Sequence, residues 1–121
     1  MAEKQKQEKL IPVLNKLIKK TLDNSIFWEQ REEGFVAPFG NTKDKVEFSY
    51  QMDEDDYGDE GAVPSTFVLI FINEHNVKYE VFYCLHETHP GYSEFKSLFN
   101  AIQKVKEEEF LAKCDSFLKE E

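Results

Sequence analysis

Residues 66 to 84 constrain the fold more than any other stretch of this chain. They read TFVLIFI, then NEHN, then VKYEVFYC. The first run is short, apolar and rich in β-branched and aromatic residues, a composition that favours a strand over a helix. Because it is apolar on both faces, it is expected to be a central strand covered on both sides. The second run alternates Val77, Tyr79, Val81 and Tyr83 against Lys78, Glu80, Phe82 and Cys84, which is the two-residue period of a pleated strand. The polar turn between them sets the two runs antiparallel. An isolated hairpin buries too little to stand in water, so the rest of the chain has to supply more sheet and a cover for it.

More sheet is legible upstream. KVEFSYQM places Val46, Phe48, Tyr50 and Met52 on one side and Glu47, Ser49 and Gln51 on the other, a half-buried strand with one wet face. Before it, IFWEQREE and FVAPF read as short strands around Gly34, with Pro38 at a strand edge or end and GNTKDK as a turn. The cover comes from both ends. Leu10, Ile11, Leu14, Leu17, Ile18 and Leu22 recur at helical spacing, with Lys9, Lys16, Lys19 and Lys20 largely off that stripe. Pro12 removes a backbone donor, so the regular helix is expected to begin near Ile11 or kink there, with residues 1 to 8 frayed. HETHPGYS is a loop, and Ser93 is the expected cap of a closing helix. That helix carries two stripes. Phe95, Leu98, Phe99, Ile102 and Val105 form the first, and Phe110, Leu111, Cys114, Phe117 and Leu118 form a second, shifted in phase. One straight helix cannot aim both at one core, so the helix bends or its last turns pack elsewhere, for example on a second subunit or beside the first helix. The expected architecture is a single α+β domain over residues 1 to 121: a four- to five-stranded antiparallel sheet flanked by an N-terminal and a C-terminal helix.

The length of 121 residues fits one core, and 40% hydrophobic with 14% aromatic residues argues against global disorder. The formal net charge is -9, but residues 1 to 22 hold six Lys against two Glu, a local +4, which leaves the remainder at -13. Nucleic-acid binding needs a basic face, and the only candidate is the lysine-dotted first helix, whose lysines read as an ordinary solvated face. No nucleic-acid partner is therefore expected. An acidic body favours a basic protein partner. The N-terminal residues lack the apolar core of a signal peptide and no apolar run is long enough to cross a bilayer, so neither a membrane partner nor secretion is expected. The two cysteines, Cys84 and Cys114, have no paired spacing and read as buried thiols of a reducing, cytoplasmic compartment.

Between two strands lies DEDDYGDE, with six carboxylates in eight positions: Asp53, Glu54, Asp55, Asp56, Asp59 and Glu60. A calcium loop is the sharpest reading of such a run. Aligning Asp53 and Asp55 to the first and third ligand positions puts Gly58 at the tight turn, but Tyr57 and Pro64 then stand where oxygen ligands are required. Residues 53 to 64 are instead expected to be a flexible, solvated acidic loop, and these six carboxylates are the candidate docking residues for a basic partner. CLHETH brings Cys84, His86 and His89 within six residues, yet its spacing is neither a zinc finger nor the helical arrangement of zinc proteases. A Cys84–His86 nucleophile pair would lack an orienting third group and an oxyanion motif. No glycine-rich phosphate loop and no Gly-x-Ser-x-Gly elbow occur. No metal, no cofactor and no catalysis are expected.

LIKKTLDNSIFWE, followed by short strands and by FKSLFNAIQK, carries a resemblance through Leu17, Ile18, Thr21, Trp28, Leu98 and Phe99. It resembles a layout found in small bacterial single-domain proteins of uncharacterised function, spanning most of residues 10 to 105. The resemblance implies a helix, an antiparallel sheet and a closing helix, and transfers no catalytic residue. The acidic stretch and the extension past Lys106 depart from it. The expected role is a small non-catalytic interaction protein, of the immunity protein, chaperone or inhibitor type. A homodimer built through the C-terminal stripe is the alternative, and a metal protein or enzyme using CLHETH stands behind both.

Overall fold

A computed structural model describes residues 2–32, 34–52, 64–85 and 88–120. Helix α1 (Ala2–Leu22) leads into strands β1 (Glu29–Arg31), β2 (Gly34–Pro38), β3 (Lys45–Gln51), β4 (Thr66–Ile72) and β5 (Lys78–Cys84), and α2 (Tyr92–Leu118) closes the chain. The strands form one sheet in sequence order, every neighbour antiparallel. This is the expected α+β fold, at the upper end of its strand count.

The turns explain the order. At the β2–β3 corner Gly40 takes φ 66, and the Thr42 hydroxyl donates to the Phe39 carbonyl at 2.7 Å. At the β4–β5 corner Asn76 takes φ 64, while Asn73 Oδ1 accepts from the backbone N–H groups of His75 at 2.9 Å and Val77 at 3.1 Å. Asparagine tolerates the left-handed region and substitutes its side chain for missing backbone partners, which is why this tetrapeptide makes a tight return. Gly34 answers a different need, since a β-carbon there would overlap the Phe48 carbonyl oxygen and crowd Ser49 Cα at 2.8 Å.

Both helices lie on one face of the sheet. The shared core holds Leu10, Leu14 and Leu17 from α1, Phe95, Leu98, Phe99 and Ile102 from α2, and the inward alternation of four strands: Phe35 and Ala37, Val46 and Phe48, Phe67, Leu69 and Phe71, and Cys84. Phe95 sits over the β3–β4 pair, with ring centroids 6.2 Å from Phe48 and 5.9 Å from Phe67. One polar link is sealed inside. The Trp28 indole N–H donates to the Thr21 hydroxyl at 2.8 Å, and that hydroxyl donates to the Leu17 carbonyl at 2.6 Å, so the buried ring of the α1–β1 connection is tied to the helix end.

Three local expectations change. Helix α1 starts at Ala2, not near Ile11, and runs through Pro12. Tertiary contacts hold its first turns: Lys6 Nζ lies 2.8 Å from Glu80 Oε2 of β5, and Leu10 is buried. Helix α2 is capped by Gly91 at φ 87 with no side-chain cap, and Ser93 lies inside the helix with its hydroxyl donating to Glu94 at 2.9 Å. Strand β4 is fully buried on one face only. Its Phe67, Leu69 and Phe71 are buried, whereas Val68, Ile70 and Ile72 on the opposite face are only partly so, because both helices took the same side.

Candidate functional site

The six candidate docking carboxylates, Asp53, Glu54, Asp55, Asp56, Asp59 and Glu60, lie outside the described residues, as does His86. The structure does fix the ends from which the acidic stretch departs. Gln51 ends β3 opposite Thr66, and the Ser65 N–H donates to the Gln51 carbonyl at 3.2 Å. On the far side the Tyr92 hydroxyl donates to the carbonyl of buried Pro64 at 3.2 Å. The stretch therefore leaves and re-enters the sheet side by side, at the end of β4 where Val68 pairs with Tyr83 of the edge strand.

Among the described residues, that corner carries an apolar surface that is only partly covered. On the face away from the helices, Val68 stands beside Tyr83 and Ile70 beside Val81. Tyr83 is 64% exposed, and Leu85 just beyond it is exposed too. A large aromatic ring at a sheet edge, next to aliphatic neighbours and close to the anchor points of a dense acidic segment, has the composition of an interface centre with a charged rim. Sequence reasoning placed Tyr83 and Val81 together on one side of their strand. It missed that this side faces away from the core, because alternation gives two faces without saying which is buried.

Of the three candidate ligands in CLHETH, the two described take separate structural duties. Cys84 is fully buried, paired across the ladder with Phe67, whereas Cys114, also expected to be buried, is only partly so because its turn of α2 lies beyond the core. His89 Nδ1 accepts a hydrogen bond from the Leu85 N–H at 3.0 Å, closing the loop that follows β5. Among the described residues no group of three His, Cys, Asp or Glu side chains is gathered as a metal site.

A groove of about 430 Å³ runs between the start of α1 and β5, lined by Lys6, Leu10, Glu80, Phe82, His89 and Pro90. Its charged walls are joined to each other through the Lys6–Glu80 pair, and the Lys6 ammonium holds the Glu80 carboxyl below its ordinary range. Nearby, the edge strand bulges where its register slips beside Phe71 and Ile72. Tyr79 there donates its hydroxyl to Asp44 Oδ2 at 2.9 Å, and partial burial, followed by that bond and the Asp44 charge, pushes the phenol above its usual value. These pairs tie α1 and the β2–β3 turn to the edge strand.

The second unsatisfied surface is the outer half of α2. Every buried residue of this helix lies between Phe95 and Ile102. Sixteen residues of rise carry Leu118 about 24 Å beyond Ile102. Along that length Phe110, Leu111, Phe117 and Leu118 are 63%, 53%, 71% and 77% exposed. The two stripes read in the sequence belong to one uninterrupted helix, of which only the first meets the core. At the transition the Lys106 ammonium lies 4.4 Å from the centroid of the exposed Phe27 ring and 3.7 Å from Glu109. No helix of the described residues is long and apolar enough to cross a membrane. Comparison with protein-family models, with curated proteins and with solved structures finds no match to this chain.

Proposed function

We propose that this chain is a small non-catalytic protein-interaction protein, of the immunity protein, chaperone or inhibitor type, that takes a basic protein as its partner. The observation that supports it most is the Tyr83 corner: an exposed aromatic ring backed by Val68, Val81 and Ile70, beside the two ends that anchor the acidic stretch. Apolar contact at Tyr83 supplies the lasting part of such an interface, and the carboxylates of residues 53 to 60 steer the approach of a basic surface. The net charge of -9 extends that attraction beyond the contact itself. Cytoplasmic residence suits two free thiols, Cys84 and Cys114.

Two variants separate the two contributions. The wild type, a sixfold variant with Asn at Asp53, Asp55, Asp56 and Asp59 and Gln at Glu54 and Glu60, and Tyr83→Ala are immobilised and exposed to host lysate. A basic protein retained by the wild type is then purified and its kinetics are measured at two salt concentrations. The sixfold variant should associate more slowly and lose most of its salt dependence. Tyr83→Ala should mainly speed dissociation, weakening binding about tenfold or more. Unchanged association of the sixfold variant at low salt, or unchanged affinity of Tyr83→Ala, would defeat the corresponding half of the reading.

A further inference from the structure

We infer that the outer half of α2 pairs antiparallel with the same segment of a second copy of this chain, with Cys114 of each copy on the two-fold axis. This surface is separate from the Tyr83 corner, and the inference does not depend on a basic partner. It starts from the angular positions of the stripe. At about 100° per residue, Phe110, Leu111, Phe117 and Leu118 spread over about 120° of the helix circumference, and Cys114 falls in the middle of that arc. Cys114 is also the midpoint of the stripe along the axis, with Phe110 and Leu118 four residues to either side and Leu111 and Phe117 three. A stripe centred on one residue in both directions is self-complementary under a two-fold axis through that residue.

The pairing then builds its own layers. Reversal about Cys114 sets Phe110 beside Leu118 of the second copy and Leu111 beside its Phe117, so each layer joins one aromatic and one aliphatic side chain. The layers are repeated by symmetry on the other side of the Cys114 pair. Charge separates the two directions only in part: antiparallel pairing brings Glu108 near Lys119 of the second copy on one flank, while Asp115 and Lys113, beside the Cys114 pair, each approach their own counterparts. A parallel pairing would stack Glu107, Glu108 and Glu109 against the same three acids.

Area points to a second copy as well. A phenylalanine buries on the order of 150–250 Å² when fully covered, so the fractions exposed here leave roughly 500 Å² of apolar side chain per copy on the four stripe residues. Full coverage in two copies would remove at most about 1,000 Å² from these residues, so the flanking side chains must contribute for the total to reach the range of specific interfaces.

The test uses the full chain in reducing buffer. Sedimentation or light scattering should give twice 14.2 kDa for the wild type and 14.2 kDa for Phe110→Glu and Phe117→Glu, both with unchanged circular dichroism because these side chains touch no core residue. Copper(II)–phenanthroline is then added as the oxidant. Two Cys114 thiols lose two protons and pass two electrons to copper, forming one S–S bond between copies, which requires their Cα atoms within about 7 Å. The wild type should run as a covalent dimer on a non-reducing gel, and Cys114→Ser should remain dimeric in solution yet fail to cross-link, since Cys84 is buried. A monomeric wild type at every concentration overturns the pairing. A dimer that survives both glutamate variants overturns the face, and a dimer that does not cross-link through Cys114 overturns the antiparallel register.

Discussion

Replacing Thr21 by Val isolates a buried polar link of the core. The substitution keeps the branched shape and exchanges a hydroxyl for a methyl. Thr21 and Trp28 are 1% and 3% exposed, so water cannot take the place of the lost oxygen. The Leu17 carbonyl remains in the helix ladder, but the indole N–H, which now donates to Thr21 Oγ1 at 2.8 Å, is left without an acceptor. An unsatisfied buried donor costs about 1–3 kcal/mol, and burying a methyl in place of the hydroxyl returns up to about 0.8 kcal/mol. Taking the middle of each range, the expected net loss is about 1.5 kcal/mol, which for a chain of this size lowers Tm by roughly 4–9 °C. Urea unfolding followed by Trp28 fluorescence and by circular dichroism measures it, with an unchanged m-value showing that the native state is intact. The decisive comparison is the same substitution in a Trp28→Phe background, where no donor is stranded. Thr21→Val should cost close to nothing there. A loss under about 0.5 kcal/mol in the wild type, or an equal loss in both backgrounds, would refute the account.

Gly34→Ala should be among the most damaging single changes, costing about 3 kcal/mol or more, because its β-carbon meets backbone at Phe48 and Ser49 and not a movable side chain. A Tm within a few degrees of wild type would show that β2 can shift freely. Tyr79 should ionise above the ordinary value of 10.0. A raised pKa favours the folded state below the unfolded value and loses that contribution as pH rises through the folded one. Tyrosinate absorbance should therefore show a late component that disappears in Tyr79→Phe and moves down in Asp44→Asn. Glu80 has the opposite sign: its lowered pKa stabilises the fold above the ordinary value of 4.5 and the contribution fades as pH falls through the folded value. The stability gap between wild type and Glu80→Gln should close in acid and shrink with added salt, since the Lys6–Glu80 pair lies at the surface within reach of solvent; a gap independent of pH would contradict the ion pair.

The strands were legible because alternation survives burial on one side. Val46 and Phe48 fall inward and Lys45 and Gln51 outward, as the period in KVEFSYQM requires. The Asn73–Asn76 return was legible from turn chemistry alone. Which side of TFVLIFI met the helices was not, because partly buried Val68, Ile70 and Ile72 are as apolar as buried Phe67, Leu69 and Phe71. The early start of α1 escaped for a related reason, since Lys6 finds its anchor at Glu80, more than seventy residues away in sequence. The candidate surfaces divide in the same manner. The phase shift in α2 announced a second stripe, and its exposure follows from helix length. The Tyr83 corner could not be read, because it exists only where β4, the edge strand and the ends of the acidic stretch come together.

The sheet is a simple meander, yet its cover is assembled from the two extremes of the sequence. Each strand can pair with the one made just before it, so hairpins can form as the chain lengthens. Their inner face is a different matter. Phe48, Phe67 and Leu69 stay incompletely covered until Phe95, Leu98 and Ile102 arrive, and α1, although made first, shares its core with residues of α2 still to come. During synthesis the ribosome would therefore carry a strand-rich intermediate with an open apolar face and a waiting basic helix. Closure is a late event set by the emergence of residues 95 to 102. Such a nascent chain is a natural client for a chaperone, and variants that weaken α2 should reduce yield in the cell more than their equilibrium stability alone would indicate.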